Sequence, residues 1–142
     1  MMRGRWGIVA ALLVLVACTR TPPEEALRRN IDELRTAVET RDVSALNEGI
    51  AQDFIGPDGM DRKAVRRLAQ VVFLQNQKIG VTLGPLDIAM REGGATVKFT
   101  AAMTGGSGGL LPQSGQVYDV TTGWRQDGGE WELVTAEWKE KL

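Results

Sequence analysis

The feature that most restricts how this chain can fold is a change of hydrophobic period halfway along it. Up to Val72, apolar residues recur every three or four positions; from Val97 they recur at every second position. The first spacing belongs to helices with one buried stripe, the second to half-buried strands. Leu27, Ile31, Leu34 and Val38 form the first stripe, and Glu24 and Glu25 stand at its start, where the helix dipole favours negative charge. Asp42 or Ser44 caps a second, shorter helix bearing Leu46, Ile50 and Phe54. Gly56-Pro57-Asp58-Gly59 is a turn, after which Asp61 caps a third helix burying Val65, Leu68, Ala69 and Val72.

The second half reads as strands. Ile79 to Met90 is apolar and partly alternating but broken by Gly84-Pro85, which suits a strand with a bulge or an edge position. Val97, Phe99, Ala101 and Met103 alternate with Thr96, Lys98, Thr100 and Ala102. After the glycine-rich stretch Thr104 to Gly115, Gln116 to Gln126 forms a third strand. Asp127-Gly128-Gly129 turns the chain into a fourth, Glu130 to Lys139. Helices followed by an antiparallel meander of about four strands predict an α+β fold with the helices on one sheet face.

The N-terminus has a separate logic. Arg3 and Arg5 precede the unbroken apolar run Ile8 to Val16, which is the layout of an export signal. The run is well short of the roughly 20 residues a bilayer-spanning helix needs. Leu15-Val16-Ala17-Cys18 resembles the bacterial lipobox, in which the thiol is acylated and the chain is cut just before the cysteine. That resemblance implies a signal peptide over 1–17, a lipidated Cys18 with a tether over 18–23, and one domain over 24–142. It implies a periplasm-facing lipoprotein held in the membrane by acyl chains such as palmitate. Thr19 follows the cysteine where an Asp would favour inner-membrane retention, so the expected location is the outer membrane. Cys18 is the only cysteine, which excludes an intramolecular disulfide.

Without Arg3 and Arg5 the chain carries 15 Lys and Arg against 18 Asp and Glu, a net charge of −3. Nucleic acid requires a strong positive field, so it is not an expected partner. The chain has no histidine, which removes the commonest general base near neutral pH and the usual metal ligand. No metal or other cofactor is expected.

Three stretches carry the resemblance to a known fold family. They are Ala37-Val38-Glu39-Thr40-Arg41-Asp42-Val43-Ser44-Ala45-Leu46, then Asp53-Phe54-Ile55-Gly56-Pro57-Asp58-Gly59, and finally Gly123-Trp124-Arg125-Gln126-Asp127-Gly128-Gly129-Glu130-Trp131-Glu132-Leu133. In this order they resemble the NTF2-like (SnoaL-like) superfamily, a cone made by a curved sheet around three helices. Enzymes of that superfamily place acids, bases or hydrogen-bond donors inside the cone.

Candidate site residues follow from that expectation. Asp119 shares a strand face with Thr121 and Arg125, opposite Tyr118, Val120 and Trp124. If that face lines the cone, Asp119 and Arg125 hold a polar ligand group or Asp119 transfers a proton; otherwise it is a solvated face with cross-strand charge pairs. Asp53 is a second candidate base, or a polar contact at a helix end. Phe99, Met103 and Trp124 would supply an apolar wall. Trp131 and Trp138 differ by an odd number, so regular pleating sends them to opposite faces, one toward the helices and one toward a homodimer or docking surface. The loop TGGSGGLLPQSG lacks the ending of a phosphate-binding loop, while Leu110-Leu111-Pro112 at its tip could touch membrane, ligand or partner. Arg62, Lys63, Arg66 and Arg67 form a basic stripe, a charged face or a contact to anionic headgroups.

Two functional readings survive the sequence. One is a non-catalytic, lipid-anchored module that binds an apolar small molecule or docks on an envelope protein. The other is a small-molecule enzyme of isomerase, dehydratase or hydrolase type, using Asp119 or Asp53 as a pocket base.

Overall fold

The computed structural model describes residues 22–109 and 112–141. The signal segment, Cys18 and the tip residues Leu110 and Leu111 lie outside the described residues. No helix among the described residues is long and apolar enough to cross a membrane.

The chain runs through α1 (Pro23–Glu39), α2 (Val43–Glu48), β1 (Ile50–Ile55), a short 3-10 turn (Pro57–Gly59), α3 (Arg62–Gln75), β2 (Lys78–Leu83), β3 (Asp87–Arg91), β4 (Gly94–Gly106), β5 (Ser114–Asp127) and β6 (Glu130–Glu140). Proline at its first position and Glu24 and Glu25 in its first turn favour the start of α1. Its end is a Schellman motif: Asp42 N–H donates to Ala37 O and Arg41 N–H to Val38 O, with Arg41 in the left-handed region at φ 55°. Asp42 then caps α2 through Ala45 N–H, and Asp61 caps α3 through Ala64 N–H.

Among the described residues three helices pack on one face of a curved mixed sheet, so the α+β expectation holds, with six strands in place of about four. The order is β1-β6-β5-β4-β2, and β3 joins β4 alongside β2. The apolar run Ile79 to Met90 thus makes two strands, β2 against Ala101–Gly106 and β3 against Gly94–Lys98, on one edge of the long β4. Nor is the sheet wholly antiparallel, because β1 pairs with β6 in parallel. Ile50 and Phe54 sit on this strand and not on the second helix. Their four-residue spacing puts them on one face of a helix and, being even, on one face of a strand as well.

A second irregularity decides which residues line the cone. Gly123 pairs with Thr135 and Trp124 with Leu133, so Val134 is an extra residue on β6 and forms a bulge. Before it the odd positions Trp131 and Leu133 face the helices; after it the even positions Ala136 and Trp138 do. Trp131 and Trp138 therefore share the inner face, against the expectation of opposite faces, and the outer face gains no tryptophan. Gly123 permits the close approach at the bulge, since a Cβ there would collide with Thr135 Oγ1.

Three apolar clusters fill the space between helices and sheet. Leu27 and Ile31 of α1 meet Ala95, Val97, Trp124 and Trp131. Ile50, Phe54 and Ala136 form the second cluster, with Val65, Leu133 and Trp138 against it. Ala69, Phe73 and Ile79 form the third, with Val72 and Met103 against it. Full burial of side chains of this size stabilises by about 1.5–3 kcal/mol each. Polar ties fix α1 on β6: Trp131 Nε1 donates to Pro23 O at 3.0 Å and Asn30 Nδ2 to Trp131 O at 3.2 Å.

Candidate functional site

The pairing register sorts the strand residues onto two walls of opposite character. Phe99 lies across from Val120, Ala101 from Tyr118, Val120 from Trp138 and Thr122 from Ala136. Directly opposed residues share a face, and burial agrees, because along β5 the even positions from Gln116 to Gln126 are the more buried ones. The inner wall thus carries Phe99, Met103, Tyr118, Val120 and Trp138. Among the described residues, the inner positions of β4 and β5 hold no Asp, Glu, Lys or Arg.

This wall is closed at one end and open at the other. Val97, Thr122 and Trp124 are buried under α1, whereas Phe99, Tyr118, Val120 and Trp138 are half-buried. Leu68, expected on the buried face of α3, is instead 42% exposed. The half-buried patch of Phe99, Tyr118, Val120 and Trp138 is the candidate site. Only the Tyr118 hydroxyl in this set offers a titratable proton.

Both carboxylates expected as bases lie on the other side. Asp119 pairs with Thr100 and Lys139 on the outer wall, and its exposed carboxylate stands 3.8 Å from Lys141 Nζ. Asp53 is likewise exposed and receives a bidentate pair of hydrogen bonds from Arg125, both at 3.0 Å. Arg125 also donates to Glu132 at 3.1 Å. The Arg125 hydrogen bond holds the Asp53 carboxyl below its ordinary value, helped by a backbone hydrogen bond, and Arg125 is raised in turn. A depressed pKa on an exposed carboxylate is the reverse of what a pocket base near neutral pH requires.

The expected binding set therefore splits. Phe99 and Met103 stand on the inner wall, Phe99 beside the first cluster and Met103 beside the third. Asp119 and Arg125 stand behind them, six residues apart on the outer face and with different ionic partners. Trp124 is only 3% exposed, and its indole N–H donates to Thr122 Oγ1 at 2.8 Å, while Thr122 Oγ1 donates to Val97 O at 2.9 Å. It supports the wall from within the core. Sequence reasoning missed Tyr118, Val120 and Trp138 as lining residues, although the first two share the parity of Trp124. Trp138 was hidden by the bulge at Val134.

Two surface grooves flank α1. One of about 410 Å³ lies between α1 and β2 over Ile31, Val81, Leu83 and Leu86, beside Arg28 and Arg35. The other, about 480 Å³, has Trp131 and Leu34 in its floor and Glu33, Glu48 and Glu130 around it. Among the described residues, no group of three or more acidic side chains could hold a metal ion.

No family model matches the chain, and no curated protein sequence matches it. Solved structures do match its fold. A candidate dehydratase of the NTF2-like family from Streptomyces avermitilis is 16% identical, with a TM-score of 0.75 over 87% of this chain and 99% of that one. An NTF2-like protein of unknown function from Pseudomonas putida is 18% identical, with a TM-score of 0.71 over 84% of this chain and 87% of that one. Bd1075 of Bdellovibrio bacteriovorus is 17% identical at a TM-score of 0.72; the match takes in 81% of this chain but 40% of that longer protein. The domain has the NTF2-like fold, an apolar-walled cone of three helices on a curved mixed sheet.

Proposed function

We propose that the chain is a lipid-anchored binding module of the bacterial envelope whose cone takes an apolar small molecule. The observation that carries this reading is the half-buried inner wall of Phe99, Tyr118, Val120 and Trp138, with no charged inner position on β4 or β5 among the described residues. An apolar ligand gains from leaving water against such a wall, at roughly 25 cal/mol per Å² of area removed. In this reading Cys18 is acylated, the signal 1–17 is removed, and residues 18–23 tether the domain to the outer membrane on its periplasmic side. The wall then serves as the ligand surface, and the grooves beside α1 are free to meet an envelope protein.

The enzymatic reading draws on the fold shared with structures named as candidate dehydratases. With Asp53 and Asp119 on the outer face, such an enzyme would have to use the Tyr118 hydroxyl as its acid or base.

The test is extraction of the full-length protein from membranes, followed by mass spectrometry of its N-terminus and of organic-soluble material that co-purifies. The expected result is a diacylated and further acylated Cys18 as the first residue, together with one apolar species in stoichiometric amount. An unmodified Cys18 refutes the anchor. Protein that emerges ligand-free but cross-linked to an envelope partner replaces ligand binding with docking.

A further inference from the structure

We propose that the outer face of α3 is a docking surface for an anionic lipid bilayer. Four of the 17 Lys and Arg of the chain, and none of its 18 Asp and Glu, lie in the sequence RKAVRRLAQVVFLQ of this helix. Arg62 turns inward and donates to Asn47 O at 2.7 Å, but Lys63, Arg66 and Arg67 are exposed. Among the described residues none of these three takes part in an ion pair, whereas Arg28, Arg35 and Arg125 all do. The concentration of unpaired cations on one helix of a net-acidic chain is the charge complement of anionic headgroups.

The same face is apolar where a solvated helix would be polar. Lys63, Arg67, Val71 and Leu74 follow one another at spacings of four, four and three, so they form a single stripe. Ala69 and Phe73 on the opposite side are buried in the core, which points the stripe directly outward. Leu74 is 85% exposed and Val71 49%, the former more than any other large apolar residue among the described residues. Cations over the first two turns and branched apolar side chains over the last two are what an interfacial helix presents to headgroups and to the acyl boundary beneath them. The stripe lies outside the cone, so it competes with neither the inner wall nor a ligand there. This proposal stands without acylation of Cys18, because charge and apolar exposure are properties of α3 itself.

The full-length protein is mixed with vesicles of phosphatidylcholine alone or of phosphatidylcholine with phosphatidylglycerol, and amide hydrogen exchange is followed along the chain. The expected result is slower exchange across residues 62–75 with the anionic vesicles only, reversed by salt. K63E and R67E should each weaken this docking at least fivefold, by analogy with about a fivefold loss per cation at a membrane surface. L74E should weaken it while leaving the four cations in place. Unchanged exchange in β4 and β5 shows that each variant is folded. Equal exchange of α3 with both vesicle types overturns the proposal, as does protection that these variants leave intact. Protection that appears only on adding an envelope protein also overturns it and assigns the face to that protein. Attachment through the N-terminus is read separately, from sedimentation with the neutral vesicles.

Discussion

Thr122 is the buried polar residue on which the closed end of the cone depends. Its hydroxyl donates to Val97 O and accepts from Trp124 Nε1, so one oxygen satisfies two strands at once. Thr122→Val keeps the shape but leaves the buried indole N–H unpaired, a cost of about 1–3 kcal/mol. Urea denaturation followed by tryptophan emission should show that loss, and an unchanged midpoint would mean that Trp124 finds another acceptor. The ion pair on the other face makes a different prediction. Asp53 is held below its ordinary pKa of 3.8 mainly by the Arg125 hydrogen bond. A carboxyl depressed in the folded state contributes stability above its unfolded pKa, and that contribution is lost as pH falls through the folded value. Arg125→Gln should therefore move the Asp53 titration upward, as followed by carboxyl chemical shift. It should also flatten the acid limb of the stability curve below 3.8. Because both groups are exposed, the effect on stability at neutral pH should be small.

At the scale of elements, capping and periodicity made the helices legible. Asp42 and Asp61 cap as their types and positions suggest, and the stripe from Leu27 to Val38 faces the sheet. Pattern failed where one spacing fits both element types and where a backbone irregularity alters the period. The even spacing of Ile50 and Phe54 fits a helix as well as a strand, and the bulge made Trp131 and Trp138 look as if they faced opposite ways. A bulge adds one residue to one strand and leaves no compositional mark of its own, so only the pairing partner reveals it. Deleting Val134 should consequently be tolerated. Leu133 would then be followed directly by Thr135, so Trp124–Leu133, Gly123–Thr135 and Thr122–Ala136 stay opposed in a ladder without a bulge, and Ala136 and Trp138 keep facing inward. The deletion should retain a cooperative thermal transition by circular dichroism. Loss of that transition would show that the bend made by the bulge is itself needed to carry β6 over the helices.

Across the whole molecule, the two sides of the sheet differ in chemistry, and the division was legible in advance but its orientation was not. The alternation of β5 separates Asp119, Thr121 and Arg125 from Tyr118, Val120 and Trp124 without a structure. Which set faces the helices depends on the pairing of β4, β5 and β6 across a glycine-rich connection whose length does not specify register. The apolar set faces inward, and a binding module and an enzyme then respond differently to the same substitutions. Val120→Asp places a carboxylate in the half-buried wall between Phe99 and Trp138. It should reduce co-purifying apolar ligand by at least tenfold, since a charge there must either stay hydrated or displace the ligand. Asp119→Asn and Asp53→Asn alter only the outer face and should leave ligand content unchanged, because neither carboxylate touches that wall. Extraction and mass spectrometry of the three variants beside the parent protein reads both outcomes. An Asp53 or Asp119 variant that lost ligand as completely as Val120→Asp would put the binding surface on the outer face. A Tyr118→Phe variant that kept its ligand but lost turnover of it would make the cone a reaction chamber, with the phenol as its working group.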